Sequence, residues 1–432
     1  MNNFNNLNVN KNIIELLSKM GIKEPTDIQK EGIPPILNGK DVIAQAATGS
    51  GKTLAFIIPI IQNLGGNGKL PQSLIITPTR ELAIQIAEEC EKINYDNKKI
   101  MLAYGGREIA GQIETLKSGV DIVIGTPGRL VDLIERKAID LSKIKTLVLD
   151  EVDQILMMGF RNEIDKVIEV CSRKRQTLCF SATIDSTVKK IAYRITKEPL
   201  NIVIESKENK LANINQHIIK TSDRRKLDTL CSLLNDTNPF MGIIFCRTKV
   251  RVDSLEEELS SRGYSCQKLH SDIPQAKREK IMKAFKDVEF QFLVATDVAA
   301  RGVDITGVTH IFNYDITEDV ESYIHRIGRT GRAGEKGESY LFVTDRNESM
   351  LKDIENTIGF SIPEMEIEFA QGVMSTLELP KKKYNKKINA RTKNIEEQKS
   401  VTEDKNETKR RGIHKKWKEF KNRWHFYLKL IK

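Results

Sequence analysis

The stretch Ala46-Ala-Thr-Gly-Ser-Gly-Lys-Thr53 decides the fold of this chain. The run before it, Asp41-Val-Ile-Ala-Gln-Ala46, has the composition of a short buried strand, and an apolar helix is predicted to follow from Leu54. A strand, a glycine-rich turn and a helix form the context in which a phosphate-binding loop is credible. The alternative is a glycine-rich turn without a ligand, and the context favours the loop.

Each part of this loop has a chemical role if a nucleoside triphosphate binds there. Gly49 and Gly51 let the main chain curve around an anion with its N–H groups pointing inward, at the positive end of a helix. Lys52 would reach the β- and γ-phosphates, and the Thr53 hydroxyl would ligate Mg²⁺. The sequence therefore predicts an ATP site that includes Ala46, Ala47, Thr48, Gly49, Ser50, Gly51, Lys52 and Thr53.

The length and the charge distribution predict several domains and a basic tail. A chain of 432 residues is too long for one ordinary core, so two or three domains are expected. Residues 376–432 hold 19 Lys and Arg against 7 Asp and Glu, whereas residues 1–375 hold 50 against 52. The tail therefore suits a polyanion, and nucleic acid is the obvious one.

Cysteine spacing and the lack of long apolar runs bear on the compartment. The six cysteines form no C-x-x-C pair, and no His and Cys cluster has zinc spacing, so buried thiols in a reducing compartment are expected. The first residues lack the basic and apolar regions of a signal peptide, and no apolar run approaches the ~20 residues that span a bilayer. We expect a cytoplasmic protein without membrane association.

Apolar, β-branched runs alternate with helical stretches in two successive blocks. Strands are predicted near residues 41–46, 73–79, 99–104, 121–126, 146–150, 176–181 and 200–205, and again near 242–246, 265–269, 290–296, 309–314 and 338–343. The fold class is therefore α/β, with a parallel sheet covered by helices in each block. The expected domains are residues 1–205 and 216–370, joined by a polar linker at 206–215 and followed by the tail at 371–432. Only the first block contains a phosphate loop.

An acidic motif, Asp150-Glu-Val-Asp153, follows a predicted strand of the first block, where open α/β sheets bind ligands. Asp150 is placed to hold Mg²⁺ through water, and Glu151 to orient and deprotonate an attacking water. Ser181-Ala-Thr183 follows the next strand, and its hydroxyls could bridge the acidic motif to another group. A helix cap is the alternative for the acids, and a plain turn for Ser181–Thr183.

The second block places Arg326, Arg329 and Arg332 at spacings of three within Tyr323-Ile-His-Arg-Ile-Gly-Arg-Thr-Gly-Arg332. The planar fork of arginine matches phosphate oxygens, and an arginine finger increases the rate of phosphoryl transfer by about 10³ to 10⁵. A basic surface helix is the alternative. Upstream, Asp304 could bind a ribose hydroxyl and Thr296 a backbone phosphate.

Taken together, the ordered motifs resemble those of the DEAD-box ATP-dependent RNA helicases of superfamily two, over about residues 1–370. They are Pro25–Gln29, Ala46–Thr53, Pro78–Leu82, Gly105-Gly106, Thr126–Arg129, Asp150–Asp153, Ser181–Thr183, Ile244–Arg247, Thr296–Asp304 and His325–Arg332. The resemblance implies two tandem RecA-like domains that close on ATP and single-stranded RNA, followed here by the basic tail. Val152 departs from the family's Asp-Glu-Ala-Asp, and we expect the chemistry to survive the change.

The resemblance also implies residue roles. A motif at about residues 2–30 would bind adenine, with Gln29 at its edge and Phe4 stacked on its face. Glu151 would be the base, Arg329 and Arg332 the fingers, with Asp304 near the ribose. His325 joins Lys52, Asp150, Glu151, Ser181, Thr183 and the two fingers as catalytic residues, and Arg326 joins the ATP site. RNA would be bound by Pro78, Thr79, Arg80, Gly105, Gly106, Thr126, Arg129, Arg247, Gln275, Arg278 and Thr296.

Two functions follow from this resemblance. The first is an enzyme that locally separates short RNA duplexes and remodels ribonucleoproteins, with ATP hydrolysis driving release. The second is an ATP-gated RNA clamp that acts as a binding module in a larger RNA-processing complex. In the tail, residues 412–432 place Trp417, Phe420, Trp424, Leu428 and Ile431 at helix spacing. That segment could tether RNA, bind a ribonucleoprotein partner or, less in keeping with the rest, lie on a membrane.

Overall fold

The computed structural model describes residues 3–47, 49–65, 69–204, 213–300, 307–331 and 336–367, apart from the side chain of Val298. These residues form two compact units, one from each block of the sequence, and each unit is described by itself. None of the helices in these ranges combines the length and apolarity needed to span a bilayer.

The first unit contains a short 3₁₀ helix at Phe4–Leu7, followed by alternating helices and strands. Its strands are β1 (Val42–Gln45), β2 (Ser73–Ile76), β3 (Ile100–Ala103), β4 (Ile122–Gly125), β5 (Thr146–Leu149), β6 (Gln176–Ser181) and β7 (Leu200–Val203). Its helices are α1 (Lys11–Lys19), α2 (Asp27–Leu37), α3 (Lys52–Asn63), α4 (Arg80–Lys92), α5 (Ile109–Lys117), α6 (Pro127–Glu135), α7 (Val152–Met157), α8 (Arg161–Val170) and α9 (Ser186–Ile195).

The seven strands form one parallel sheet in the order β3-β4-β2-β5-β6-β1-β7. Short runs such as Ser73-Leu-Ile-Ile76 are buried on both faces, as expected for strands between two helical layers. Alternate residues enter different cores: Ile75 and Val148 pack on one face, and Leu74 and Leu147 on the other. The parallel sheet covered by helices, predicted from the alternation, is confirmed.

The second unit repeats this plan with six strands. They are β8 (Ile214–Lys220), β9 (Gly242–Phe245), β10 (Cys266–Leu269), β11 (Phe292–Ala295), β12 (His310–Asn313) and β13 (Gly337–Val343), in the parallel order β10-β11-β9-β12-β13-β8. The helices are α10 (Lys226–Thr237), α11 (Lys249–Ser261), α12 (Gln275–Lys286), α13 (Asp297–Ala300), α14 (Val320–Ile327) and α15 (Glu348–Ile358), with a 3₁₀ turn at Asp345–Asn347.

Strand β8 was not predicted, and it begins inside the segment expected to be a linker. Its sequence, Ile214-Asn-Gln-His-Ile-Ile-Lys220, carries three consecutive polar residues that conceal the strand. The backbone nevertheless pairs with β13 along its whole length. On its other side, Ile218 pairs with Glu364, so the end of the described chain extends this edge of the sheet.

Candidate nucleotide and RNA site

In the first unit, the carboxyl edge of the sheet is divided between two sets of predicted site residues. Apart from Phe4 and Gln29, which precede β1, the residues predicted for ATP follow β1, β5 and β6, which are neighbours in the sheet. Residues predicted for RNA follow β2, β3 and β4, which form the other half. Since parallel strands end at the same edge, the topology brings each set together and leaves the two sets side by side.

The phosphate loop is held from outside by the side chain of Gln29, which is buried. Its Oε1 accepts from the Thr26 N–H at 3.0 Å, and its Nε2 donates to the Gly51 carbonyl oxygen at 3.0 Å. Gly51 has φ +91°, and a Cβ there would lie 2.5 Å from the Gln29 amide nitrogen. Glycine is therefore required both by the backbone and by the close approach of Gln29.

Lys52 in the phosphate loop and Asp150 after β5 are both buried, and their charges interact. The Lys52 ammonium is largely buried and donates to the Ala46 carbonyl oxygen at 2.8 Å. Burial raises the pKa of the Asp150 carboxyl above its ordinary value, while the charge of Lys52 opposes that rise. The Ser50 hydroxyl is buried and has no hydrogen-bond partner among the described residues. A cation, a carboxylate and an unsatisfied hydroxyl fit a metal-bound triphosphate.

The acidic motif and Ser181–Thr183 form one hydrogen-bonded network through Asp153. Its Oδ2 accepts from the Thr183 N–H at 2.9 Å, the Thr183 hydroxyl at 3.1 Å and the Ala182 N–H at 3.1 Å. The Asp153 N–H donates to the Ser181 hydroxyl at 3.2 Å. Glu151 adopts the left-handed conformation with φ 52° just before α7, so the acids also form a helix start. Val152 is buried in the core beneath them.

Phe4, which is predicted to stack on adenine, lies in the core of the first unit. Its ring is 1 % exposed and belongs to the core cluster that contains Ile13, Leu17 and Ile28. A ring buried to this extent is covered by protein on both faces. Its removal from water stabilises the packing of the N-terminal segment. This position does not support the prediction that Phe4 stacks on the base, and it indicates an anchoring role for the N-terminal segment.

The RNA half of this edge combines two helix N-termini with a glycine turn. Thr79 caps α4, its hydroxyl accepting from the Leu82 N–H at 3.3 Å, and Thr126 precedes α6 with Pro127 in the first turn. Next to them, a Cβ on Gly105 would lie 3.2 Å from Nη2 of Arg80. Helix N-termini with glycine-lined approaches suit phosphate groups.

Arg129 extends this surface toward the loop after β3. Its Nη2 donates to the Arg107 carbonyl oxygen at 3.1 Å, and its Nη1 is buried with no hydrogen-bond partner in the described chain. Pro78 and Gly106 lie on the same loops and Arg80 begins α4, so all the residues predicted for RNA in this unit are brought together by β2, β3 and β4.

In the second unit, the side chains of Arg326 and Arg329, which stand three residues apart, are both buried. They therefore do not belong to an exposed basic helix, which was the alternative considered from the sequence. Arg326 forms a two-armed ion pair with Asp297, and its Nη1 donates to the Asp315 carbonyl oxygen at 2.6 Å and to Asn313 Oδ1 at 3.3 Å. These contacts count against the predicted direct role of Arg326 in binding ATP. Arg329 donates from Nε to the His325 carbonyl oxygen at 3.2 Å.

The residues predicted for RNA in the second unit follow β9, β10 and β11, which again are neighbours. Arg247 follows β9, and Asp315 Oδ2 accepts its N–H at 3.0 Å while Oδ1 binds the buried Lys226 ammonium at 2.8 Å. Although burial raises the pKa of Asp315, Lys226 and these hydrogen bonds leave it below its ordinary value. Gln275 and Arg278 begin α12, and Thr296 follows β11.

Several predicted residues lie outside the described residues: Thr48, Asp304, Arg332 and the whole tail from 371 to 432, including 412–432. Conversely, the structure reveals supporting residues that the sequence did not single out, namely Asp297, Asp315 and Lys226. Each is a charged residue far along the chain from its partner, so spacing carried no signal for it.

This geometry defines a nucleoside triphosphatase with a phosphate loop and two parallel α/β units. Residues 26–191 match the DEAD/DEAH box helicase family, and residues 225–334 match the helicase conserved C-terminal domain. The DEAD-box ATP-dependent RNA helicase CshA of Bacillus subtilis is 46% identical over 82% of this chain and 72% of its own length. The Bacillus anthracis CshA is 42% identical over 93% and 78%. The chain belongs to the DEAD-box ATP-dependent RNA helicases.

Solved structures agree with that assignment. Saccharomyces cerevisiae Dbp5 bound to RNA and ADP BeF3 is 29% identical, with a TM-score of 0.77 over 84% of this chain and 96% of that one. The DEAD-box helicase Mss116 bound to ssRNA and UDP-BeF is 29% identical, with a TM-score of 0.78 over 86% and 81%. The predicted pair of RecA-like helicase domains is confirmed.

Proposed function

We propose that this chain hydrolyses ATP to separate short RNA duplexes locally and to remodel ribonucleoproteins, and that each unit supplies one set of residues for ATP and one for RNA. The observation that carries the proposal is the matching division of the two sheets. In the first unit, the phosphate loop, the acidic motif and Ser181–Thr183 follow one half of the carboxyl edge, and the predicted RNA residues follow the other half. In the second unit, the described residues predicted for RNA again follow three neighbouring strands, β9, β10 and β11, and Arg329 comes after β12. A nucleotide and a strand bound side by side can then influence each other through the loops between them.

Within the ATP half of the first unit, we assign phosphate binding to Lys52 and the loop, and the orientation of the attacking water to Glu151. Thr53, which is partly exposed, and Asp150 would hold Mg²⁺, whose oxygen ligands they match. When bound, Mg²⁺ neutralises charge on the phosphates. Asp150–Asp153 is proposed as this chain's form of the family's acidic motif, with Val152 filling the core. In the second unit, Arg329 and Arg332 are proposed as fingers, with Arg326 positioning their helix.

RNA binding is proposed to use the sugar-phosphate backbone, because the RNA halves present helix N-termini, a glycine turn and arginines rather than groups suited to base edges. Little sequence preference is therefore expected. An RNA clamp without strand separation is not favoured, because the relatives are named helicases. The domains are proposed as residues 1–205 and 216–370, with the linker at 206–215 and the tail from 371, and strand β8 extends the second domain back to Ile214. A reducing, cytoplasmic setting fits the six buried thiols.

The test is steady-state ATP hydrolysis with no nucleic acid, with single-stranded RNA and with DNA of the same sequence. Stimulation by RNA well above DNA is expected, together with multiple-turnover separation of a short RNA duplex. Equal stimulation by DNA would overturn the RNA assignment while leaving the ATP site. Stable RNA binding without strand separation would favour the clamp.

A further inference from the structure

Helix α12 carries a row of lysines on its outer face. Lys277, Lys280, Lys283 and Lys286 are all exposed and stand three residues apart, so neighbours lie one turn from each other. The opposite face of the helix, with Ile281, Met282 and Phe285, is buried. We call these four lysines the α12 lysine ridge. At 1.5 Å per residue it runs for ~14 Å along the helix.

The ridge lysines have no acidic partner among the described residues, unlike four other lysines of the unit. Lys220, Lys226, Lys249 and Lys268 each form an ion pair with a carboxylate, at 2.6 to 2.8 Å. No ion pair involves a ridge lysine among the described residues. Like charges at this spacing repel each other, so the unit retains the ridge at a small cost in stability. Such a row is suited to an external polyanion.

The position of the ridge identifies that polyanion. The first turn of α12 contains Gln275 and Arg278, which we assign to RNA, and α12 follows β10 at the end of the RNA half of the sheet. We propose that the α12 lysine ridge binds phosphates of the RNA strand beyond the nucleotides held at the carboxyl edge. This inference rests on the proposed function, since Gln275 and Arg278, which are buried on the inner face of the same helix, are assigned to RNA only there.

The ridge consists of lysines and contains no aromatic residue, and this composition determines the kind of contact that it makes. Ammonium groups bind phosphates as point charges and give no bidentate recognition of a base. The contact should therefore be independent of sequence, depend strongly on salt and appear only when the RNA is long enough to reach the ridge.

The test uses the full chain with Lys280→Gln/Lys283→Gln, which leaves the first turn of α12 intact. The matched control is Lys143→Gln/Lys352→Gln, two exposed lysines outside the ridge whose loss gives the same net charge. Affinity is measured against salt for single-stranded RNAs of about 6 and about 18 nucleotides, a range that brackets common binding-site sizes.

For the longer RNA, the slope of log affinity against log salt should fall by about 1.4, or about 0.7 for each lysine that releases a counterion. The control should keep the wild-type slope, and the short RNA should bind all three proteins equally. The proposal would be overturned if the ridge variant and the control had the same salt dependence, or if the ridge variant lost affinity equally for both RNA lengths. If the wild-type protein binds neither RNA, the proposed function itself fails.

Discussion

The two units place charge differently at the same edge of the same kind of sheet. In the first, acidic groups are held by backbone N–H groups and hydroxyls, as Asp153 is by Ala182 and Thr183. In the second, the buried Arg326 is neutralised by Asp297 inside the unit. The edge of the first unit therefore presents acids that are fixed by hydrogen bonds, and the edge of the second unit holds an arginine-bearing helix in place. The same topology supports two complementary chemistries.

The largest effect should come from the first unit. Lys52→Ala removes the ammonium predicted to bind the phosphates, and ATP turnover should fall by about 10² to 10³, the usual loss for a preorganised electrostatic contact. Circular dichroism should show an unchanged fold. Wild-type turnover in this variant would contradict the assignment of the loop.

In the second unit, Arg326→Ala should lower the free energy of unfolding by about 3 kcal/mol, because it leaves Asp297 without its partner. Arg326→Lys keeps the charge but loses the two-armed geometry, and should recover part of that loss. Urea unfolding measures both variants. An unchanged stability with weaker ATP binding would instead restore the direct ATP contact expected from the sequence.

The dependence of stability on pH should also differ between the two units. In the second, burial lowers the pKa of His310 to about 4 from an ordinary value of 6.5. Below pH 6.5 the unfolded chain takes up a proton that the folded unit does not, so stability is lost as the pH falls. Between pH 7 and pH 5 the loss should be about 2 kcal/mol. His310→Gln should remove it, as measured by calorimetry against the wild type.

In the first unit, Asp150 should act in the opposite direction. Because burial raises its pKa, the folded unit holds this proton more tightly than the unfolded chain. Stability contributed by the protonated carboxyl is present at low pH and is lost as the pH rises through the raised pKa. Asp150→Asn should flatten that part of the curve in the same calorimetric series, and an unchanged curve would show that Asp150 titrates normally.

The smallest effect should come from Glu318, whose carboxylate binds the Arg247 guanidinium at 2.6 Å in an exposed pair. An RNA phosphate that binds Arg247 must displace it. Glu318→Gln should therefore tighten RNA binding at low salt, by the less than ~1 kcal/mol typical of exposed pairs. Glu364→Gln, which breaks the exposed pair with Lys220, is the control for net charge. If the two changes affected RNA binding equally, the assignment of Arg247 to RNA would be contradicted.

The features of the fold that depend on a local sequence pattern could be predicted from the sequence. Buried strands such as Ile122–Gly125 are continuous apolar runs, and the phosphate loop is contiguous, so both could be located without a structure. Strand β8 could not, because its edge position tolerates Asn215, Gln216 and His217. Pairs such as Asp297 with Arg326 join residues 29 apart, and only folding reveals which carboxylate meets which cation. The position of Phe4 also depends on packing rather than pattern.

The Gln29 amide connects the N-terminal segment to the phosphate loop, and this has a consequence for cooperativity. Thr26 at one end and Gly51 at the other are joined through one buried side chain, while Phe4, Ile13 and Leu17 fix the segment in the core. The segment and the loop should therefore open as one unit in native-state hydrogen exchange. A ligand that orders the loop would then slow exchange in α2, some twenty residues away in sequence.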